Sequence, residues 1–252
     1  MNTGKKIYFA SDFHLGIPDH ERSLIREKKI VAWLDSIKHD AEEIYLVGDI
    51  FDFWFEYKYT VPKGFVRLLG KIAELTDSGI KVNFFTGNHD LWMKDYFTKE
   101  LNVSVYHEPI ERTYAGKKFY IGHGDGLGPG DHKYKFLKKI FTNKVCQVLF
   151  SLIHPSFSFS FANYASRKSR LATGKSDEKF LGEENEWLYL YCKEHVKQNK
   201  IDFYIFGHRH LALDMKLDGG ARYLNLGQWL SNNQYAVFDG VDLKLLELTH
   251  SN

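Results

Sequence analysis

Cysteine is scarce in this chain: Cys146 and Cys192 are the only two in 252 residues, and they lie in unrelated segments with no C-x-x-C. That excludes a disulfide framework and a thiolate metal site, and makes reduced thiols in the cytoplasm the expectation. Long apolar runs are also missing. Nothing approaches the ~20 uncharged apolar residues that a bilayer-spanning helix needs, although lying on a membrane surface is compatible with the composition. Lys5 and Lys6 precede an apolar run, Ile7 to Ala10, that is much shorter than a signal-peptide core, so no export signal is expected. Charge of one sign is lacking too. The 34 Lys and Arg against 32 Asp and Glu give a net charge of +2, too balanced for a protein that wraps nucleic acid over its whole surface. Any basic feature has to be local, and no low-complexity linker divides the chain.

What is present is the material of an ordinary folded domain, 44% hydrophobic and 26% charged. A short β-rich apolar run repeatedly ends in a polar cluster, and a helical pattern usually follows, which is the grammar of βαβ units. The runs are Ile7 to Ala10, Ile44 to Val47, Val82 to Phe85, Phe119 to Ile121 and Phe203 to Phe206. The spacing predicts helices over Glu21 to Lys38, from near Pro62 to Gly79, and over about Asp177 to Gln198. The tail, with Tyr223 to Leu226, Tyr235 to Phe238 and Leu243 to Leu248, alternates like antiparallel strands. The expected architecture is α/β: one domain of two packed sheets flanked by helices.

One segment breaks this grammar and is expected to form a helical cap inserted at about 134–175. Phe136, Ile140, Phe141, Val145, Val148, Leu149, Leu152 and Ile153 make a broad apolar helical face, with Lys135, Lys138 and Lys139 on the other. Such a face with basic residues beside it suits a cleft for an apolar ligand or attachment to a membrane surface. A packed core helix with snorkelling lysines would produce the same pattern.

Five clusters carry chemistry: Asp12-Phe13-His14, Gly48-Asp49, Gly87-Asn88-His89-Asp90, Gly122-His123-Gly124-Asp125 and Gly207-His208-Arg209-His210. Each follows a predicted strand, which puts it in a loop at the carboxyl edge of a sheet, where ligands bind. If strand geometry persists, Asp12 and His14 point to one side, as do His208 and His210. Carboxylate, imidazole and an Asn carbonyl without thiolate suit manganese, iron or zinc better than a soft metal, and manganese is the ion expected. Seven such ligands exceed one ordinary site, and a carboxylate can bridge two cations, so Asp49 is the natural shared ligand of two divalent ions. A lone histidine or a single Gly-Asp is usually core or turn; the ordered set, each member after a strand, is what points to a metal centre. Asp52, Asp90 and Asp125 follow ligand positions and either orient histidines or sit in solvated turns.

These clusters resemble the signature of the calcineurin-like metallophosphoesterases, D-x-H, G-D, G-N-H-[DE], G-H and G-H-x-H, over about Ile7 to Leu226. The resemblance implies one metal on Asp12, His14, Asp49 and His210 and another on Asp49, Asn88, His123 and His208, with His89 facing the scissile phosphate. Within that family the chain is most similar to the UDP-2,3-diacylglucosamine diphosphatases of lipid A biosynthesis in Gram-negative bacteria. That likeness rests on Asp77-Ser78-Gly79 through Gly87-Asn88, on Asp131 eight residues after His123, and on Gly174-Lys175-Ser176. It implies Asp49 and His89 as catalytic residues, and contacts from Asn88, His89, Asp131, Lys175 and His208 to a UDP-linked acylated sugar. It also implies peripheral attachment to the cytoplasmic face of the inner membrane, with no nucleic-acid or protein partner. Two positions depart from it: the best-known members carry Arg where this chain has His89, and Asn where it has Ala172. A phosphodiesterase or phosphatase for a soluble nucleotide, and a non-catalytic scaffold on the same fold, are the competing readings.

Overall fold

The computed structural model describes residues 4–129, 132–162, 164, 166, 179, 180 and 182–248. In chain order the strands of the amino-terminal half are β1 (Lys6–Ala10), β2 (Ala41–Val47), β3 (Lys81–Phe85), β4 (Ser104–Tyr106), β5 (Ile110–Tyr114) and β6 (Lys117–Ile121). Those of the carboxyl-terminal half are β7 (Phe203–Phe206), β8 (Ala212–Lys216), β9 (Arg222–Leu226), β10 (Gln234–Phe238) and β11 (Leu243–Glu247). They form a six-stranded sheet ordered β11-β10-β1-β2-β3-β4 and a five-stranded sheet ordered β5-β6-β7-β9-β8.

The alternation of side chains along a strand sorts the core into layers. In β1, Ile7 and Phe9 join Tyr45, Val47, Phe85 and Phe238 of the same sheet against Phe119, Ile205 and Leu224 of the other, filling the space between the two sheets. Tyr8 and Ala10 turn the other way, toward helices α1 (His20–Ile37), α2 (Val66–Asp77) and α3 (Tyr96–Leu101). On the outer face of the second sheet, Tyr204, Phe206 and Tyr223 pack on α7 (Trp187–His195). The result is helices, sheet, sheet, helix, as the apolar runs predicted.

Three expectations need correction. The Pro62 helix begins at Val66, because Gly64 and Phe65 take left-handed backbone, φ 109° and 56°, that cannot continue a helix. The helix expected over Asp177 to Gln198 is limited, within the described residues, to Trp187–His195 after a 3-10 turn at Glu183–Asn185. The tail is only partly antiparallel: β10 pairs antiparallel with β1 and β11, but β9 lies parallel to β7. A buried two-faced strand reads the same in either direction, so alternation alone could not distinguish them.

Between β6 and β7 the chain forms α4 (His132–Thr142), α5 (Lys144–Ser151) and a further helix, α6, over residues 155–162. Asn143 breaks the expected continuous face by capping α5, its side chain accepting from the N–H groups of Val145 and Cys146. This segment is no core helix. Val145, Val148, Leu149 and Leu152 are more than half exposed, while Phe150 packs 4.6 Å from Trp92 and 4.9 Å from Phe55, centroid to centroid.

Candidate metal centre

Strands β1, β2 and β3 are parallel neighbours in one sheet, and β6 and β7 are parallel neighbours in the other. Their carboxyl ends therefore emerge together, and the loops they feed carry all five clusters. Backbone bonds tie the loops: Asp12 N–H donates to Gly48 O, His14 N–H to Asp49 O, and Gly207 N–H to His123 O.

The strand geometry expected to aim Asp12 with His14 and His208 with His210 does not persist. β1 stops at Ala10 and β7 at Phe206. Asp12, His14, Asp49, His208 and His210 all adopt positive φ, between 44° and 70°. Non-glycine residues rarely do so, and such strain concentrates where a site over-determines the backbone. The tightly wound loops still bring the side chains together. Asp12, His14 and His210 offer ligand atoms within 4.8 Å of one another, as do His14, Asp49 and His89, and Asp49, His123 and His208. Asn88 Oδ1 lies 2.9 Å from His208 Nδ1 and 3.3 Å from His123 Nε2. Three of the neighbouring glycines leave no room for a side chain against the ligands themselves. A Cβ on Gly48 would meet His123 at 2.4 Å, one on Gly87 would meet Asp49 at 2.2 Å, and one on Gly207 would meet Asp12 at 2.6 Å.

The donor set fits divalent cations. Asp12 and Asp49 are buried carboxylates, and Asp12 Oδ1 and His14 Nδ1 have no hydrogen-bond partner among the described residues. Burial alone would raise the Asp49 pKa, but His123, His89 and His14 hold it well below the usual carboxylate range. Asp12 is likewise held down, against its burial, by His14 and His210. Burial would lower His123, yet the Asp49 carboxylate beside it pushes it up to about 10. Burial, reinforced by His123, takes His208 down to about 4. Buried carboxylates demand a compensating cation, and in the metal-free protein a proton on His123 supplies part of one.

Surrounding groups hold these loops. His123 is oriented by the Val47 carbonyl, 2.9 Å from Nδ1. Asp90, fully buried, accepts from the N–H groups of Gly87, Asp49, Ile50 and Phe51 at 2.7 to 3.3 Å. Burial and then the Asp49 charge push Asp90 up to about 7, and a cation on Asp49 would relieve the second cause. Asp52 is the one of the three flanking acids that reaches histidine rings, 3.8 Å from His14 Nδ1 and 3.6 Å from His89 Nδ1. Asp90 instead gathers backbone, and Asp125 pairs with Lys138 at 2.8 Å and Tyr134. Ser166 donates to Asp52 at 2.9 Å and lies 3.3 Å from His89 Nδ1. Asp131, Ala172 and Lys175 lie outside the described residues.

Sequence reading missed Arg26, which is buried in α1 and clamps the first loop by donating to the carbonyls of Phe13, His14 and Ile17 at 2.6 Å each. It also missed the buried Arg209–Glu186 pair at 3.0 Å, which anchors the residue between the last two histidines. Arg209 was visible inside G-H-x-H, whereas nothing in the sequence marked Arg26 or Glu186.

The calcineurin-like phosphoesterase family model matches residues 5–212. The chain belongs to that family. As a calcineurin-like phosphoesterase it is a metal-dependent hydrolase, and its two-sheet fold flanked by helices is that of the family. It is 44% identical to a UDP-2,3-diacylglucosamine hydrolase of Porphyromonas gingivalis, over 95% of this chain and 96% of that one. Proteins of the same name from Haemophilus influenzae and Neisseria meningitidis are 25% and 26% identical, over 90% and 94% of this phosphoesterase and 92% and 95% of theirs.

Proposed function

We propose that this phosphoesterase hydrolyses the pyrophosphate of UDP-2,3-diacylglucosamine to UMP and 2,3-diacylglucosamine 1-phosphate, a step of lipid A biosynthesis. The observation that carries this reading is an apolar chamber of about 330 Å³ that opens onto the candidate metal centre. Phe53, Leu137, Phe141, Phe150 and Phe161 line it, and Asn88 and His89 belong to the same wall. A soluble nucleotide has no use for such a chamber; acyl chains do. The 44% identity to a protein named for this reaction supports the same substrate.

Asp12, His14, Asp49 and His210 would hold one ion, and Asp49, Asn88, His123 and His208 the other, with Asp49 shared; the ligand set suits manganese, iron or zinc, of which manganese is the ion proposed. When bound, two such ions lower the pKa of a water and neutralise the charge that develops on phosphate oxygens. One bridging P–O bond breaks as the water oxygen joins phosphorus, and both products leave as phosphate monoesters. His89 lies beside Asp52, with Nδ1 3.2 Å from its carbonyl oxygen. That engagement leaves Nε2 to meet the substrate, where an imidazolium would stabilise oxyanion charge or protonate the leaving oxygen. Asp131 and Lys175 would add substrate contacts.

The chain is read as one domain with its cap at about 134–175. No helix among the described residues is long and apolar enough to cross a membrane. The exposed Val145, Val148, Leu149 and Leu152 with nearby lysines suit shallow attachment to the cytoplasmic face of the inner membrane. Incubating the metal-loaded protein with UDP-2,3-diacylglucosamine and identifying the products by mass spectrometry tests the reading. UMP and the acylated sugar 1-phosphate are expected; intact substrate alongside rapid cleavage of a soluble nucleotide diester would overturn it.

A further inference from the structure

Helix α4 separates two chambers of opposite character. Its residues Tyr134, Leu137 and Phe141, spaced three and four apart, line the apolar chamber. The intervening Lys135, Lys138, Lys139 and Thr142, spaced three, one and three apart, line a second cavity of about 370 Å³ on the other side of the helix. That cavity reaches the candidate metal centre through His123, Gly124 and Asp125, just as the apolar chamber reaches it through Asn88 and His89. Both cavities therefore meet the metal centre, one on each side.

Charge distinguishes the second cavity. Three lysines face two acids, Asp125 and Glu108, and Asp125 is already engaged by Lys138 at 2.8 Å. Lys135 donates to the Gly128 carbonyl at 2.6 Å, which fixes its ammonium at the wall. Lys139 has no ion-pair partner among the described residues. His107 and Thr86, 3.3 Å apart, add groups that can donate or accept on the opposite wall. The volume falls within the ~300–1,000 Å³ of small-molecule sites, and the lining suits a polar anion rather than hydrocarbon.

We infer that this basic cavity is the subsite for the nucleoside monophosphate half of the substrate, so that α4 sorts the two halves of an amphipathic pyrophosphate to opposite sides of the metal centre. The inference rests on the proposed function for the identity of the nucleotide. A pyrophosphate centred on the metals has one apolar and one polar substituent, and the two faces of α4 match them. With the phosphate held at the metal centre, Lys135 and Lys139 would meet the carbonyl oxygens of the nucleoside, and the Thr86–His107 wall its hydroxyls.

Titration of UMP and, separately, of 2,3-diacylglucosamine 1-phosphate into the metal-loaded protein tests this by calorimetry. Lys139→Glu should weaken UMP binding by about tenfold or more, the loss of one charge-assisted contact, while binding of the acylated sugar phosphate stays within about twofold. Phe141→Ala should do the reverse. Lys135→Gln serves as the second variant, and melting temperatures establish that each variant is folded. Inorganic phosphate is the control: if Lys139→Glu weakens phosphate as much as UMP, the lysines act only as a general field and the subsite is wrong. Unchanged UMP binding in both lysine variants would also overturn it. A wild-type protein that binds UMP through these lysines but leaves UDP-2,3-diacylglucosamine intact would sink the proposed function and keep the nucleotide subsite. Hydrolysis of the lipid with lysine-independent UMP binding would do the opposite.

Discussion

The Nε2 atoms of His14 and His210 stand 3.0 Å apart with their rings at 76°, and Asp12 Oδ1 is 3.3 Å from His210 Nε2. Two imidazole nitrogens and a carboxylate oxygen converging on one point make a poor protein-only contact and a good ligand set. His210→Ala should therefore lower metal content from two ions to one per chain at saturating manganese. Elemental analysis of the folded variant checks this, and retention of both ions would refute the ligand assignment.

Asp49 Oδ2 lies 3.4 Å from His123 Nε2 and 3.9 Å from His14 Nε2, and in the proposed two-ion arrangement it is the shared ligand. If Asp49 is shared by two ions, as proposed, Asp49→Asn removes charge from both, so turnover should fall by at least about 10²-fold, comparable with losing a principal electrostatic contact in the transition state. Near-normal rates in saturating metal, measured with circular dichroism unchanged, would count against the bridge.

Asp90 gathers the N–H groups of two ligand loops, so Asp90→Ala should act on both stability and metal binding. Leaving those buried donors unsatisfied should cost about 1–3 kcal/mol in denaturant unfolding of the metal-free protein. Metal affinity should fall by about 10- to 100-fold, as when other supporting groups around a metal are removed. A change in stability alone would make Asp90 purely structural.

His123 gives the pH dependence. Its folded-state pKa, about 10, lies above the ordinary 6.5. Its protonated form thus stabilises the metal-free fold in full below about pH 6.5, and this contribution is lost as pH rises through about 10. Metal requires the neutral ring, so binding should release a proton and tighten as pH rises across that window. Calorimetry in buffers of differing ionisation enthalpy measures the proton. Its disappearance in His123→Gln is expected, and its persistence would move the proton elsewhere.

Much of this was legible in the sequence because parallel strands announce themselves as short apolar runs, and the chemistry sits directly after them. Phe203–Phe206 matched its run residue for residue, and all seven candidate ligands lie in loops at the carboxyl ends of strands from the two sheets. β5 and β8 went unnoticed since Ile110–Tyr114 and Ala212–Lys216 are edge strands with no buried residue and hence no apolar run. The positive φ at Asp12, His14, Asp49, His208 and His210 was invisible because it is imposed by packing of loops distant in sequence. Lysines expected on the polar side of the cap do lie opposite its apolar residues, but only the structure gives both faces a cavity. Leu149, part of the expected apolar face, does not line the apolar chamber as Phe141 does, so Leu149→Asp should leave that chamber intact, unlike Phe141→Asp.

The most direct test of the account is the ratio of kcat/KM for UDP-2,3-diacylglucosamine to that for the same UDP-sugar without acyl chains, measured for the wild type and for folded Phe141→Asp. The metal centre serves both substrates and the apolar chamber only one, so the wild type should strongly favour the acylated compound. A carboxylate in that chamber should reduce the ratio by about 10²-fold or more, since burying it among acyl chains costs several kcal/mol. A wild-type ratio near one, or a ratio untouched by Phe141→Asp, would contradict an enzyme built for an acylated UDP-sugar.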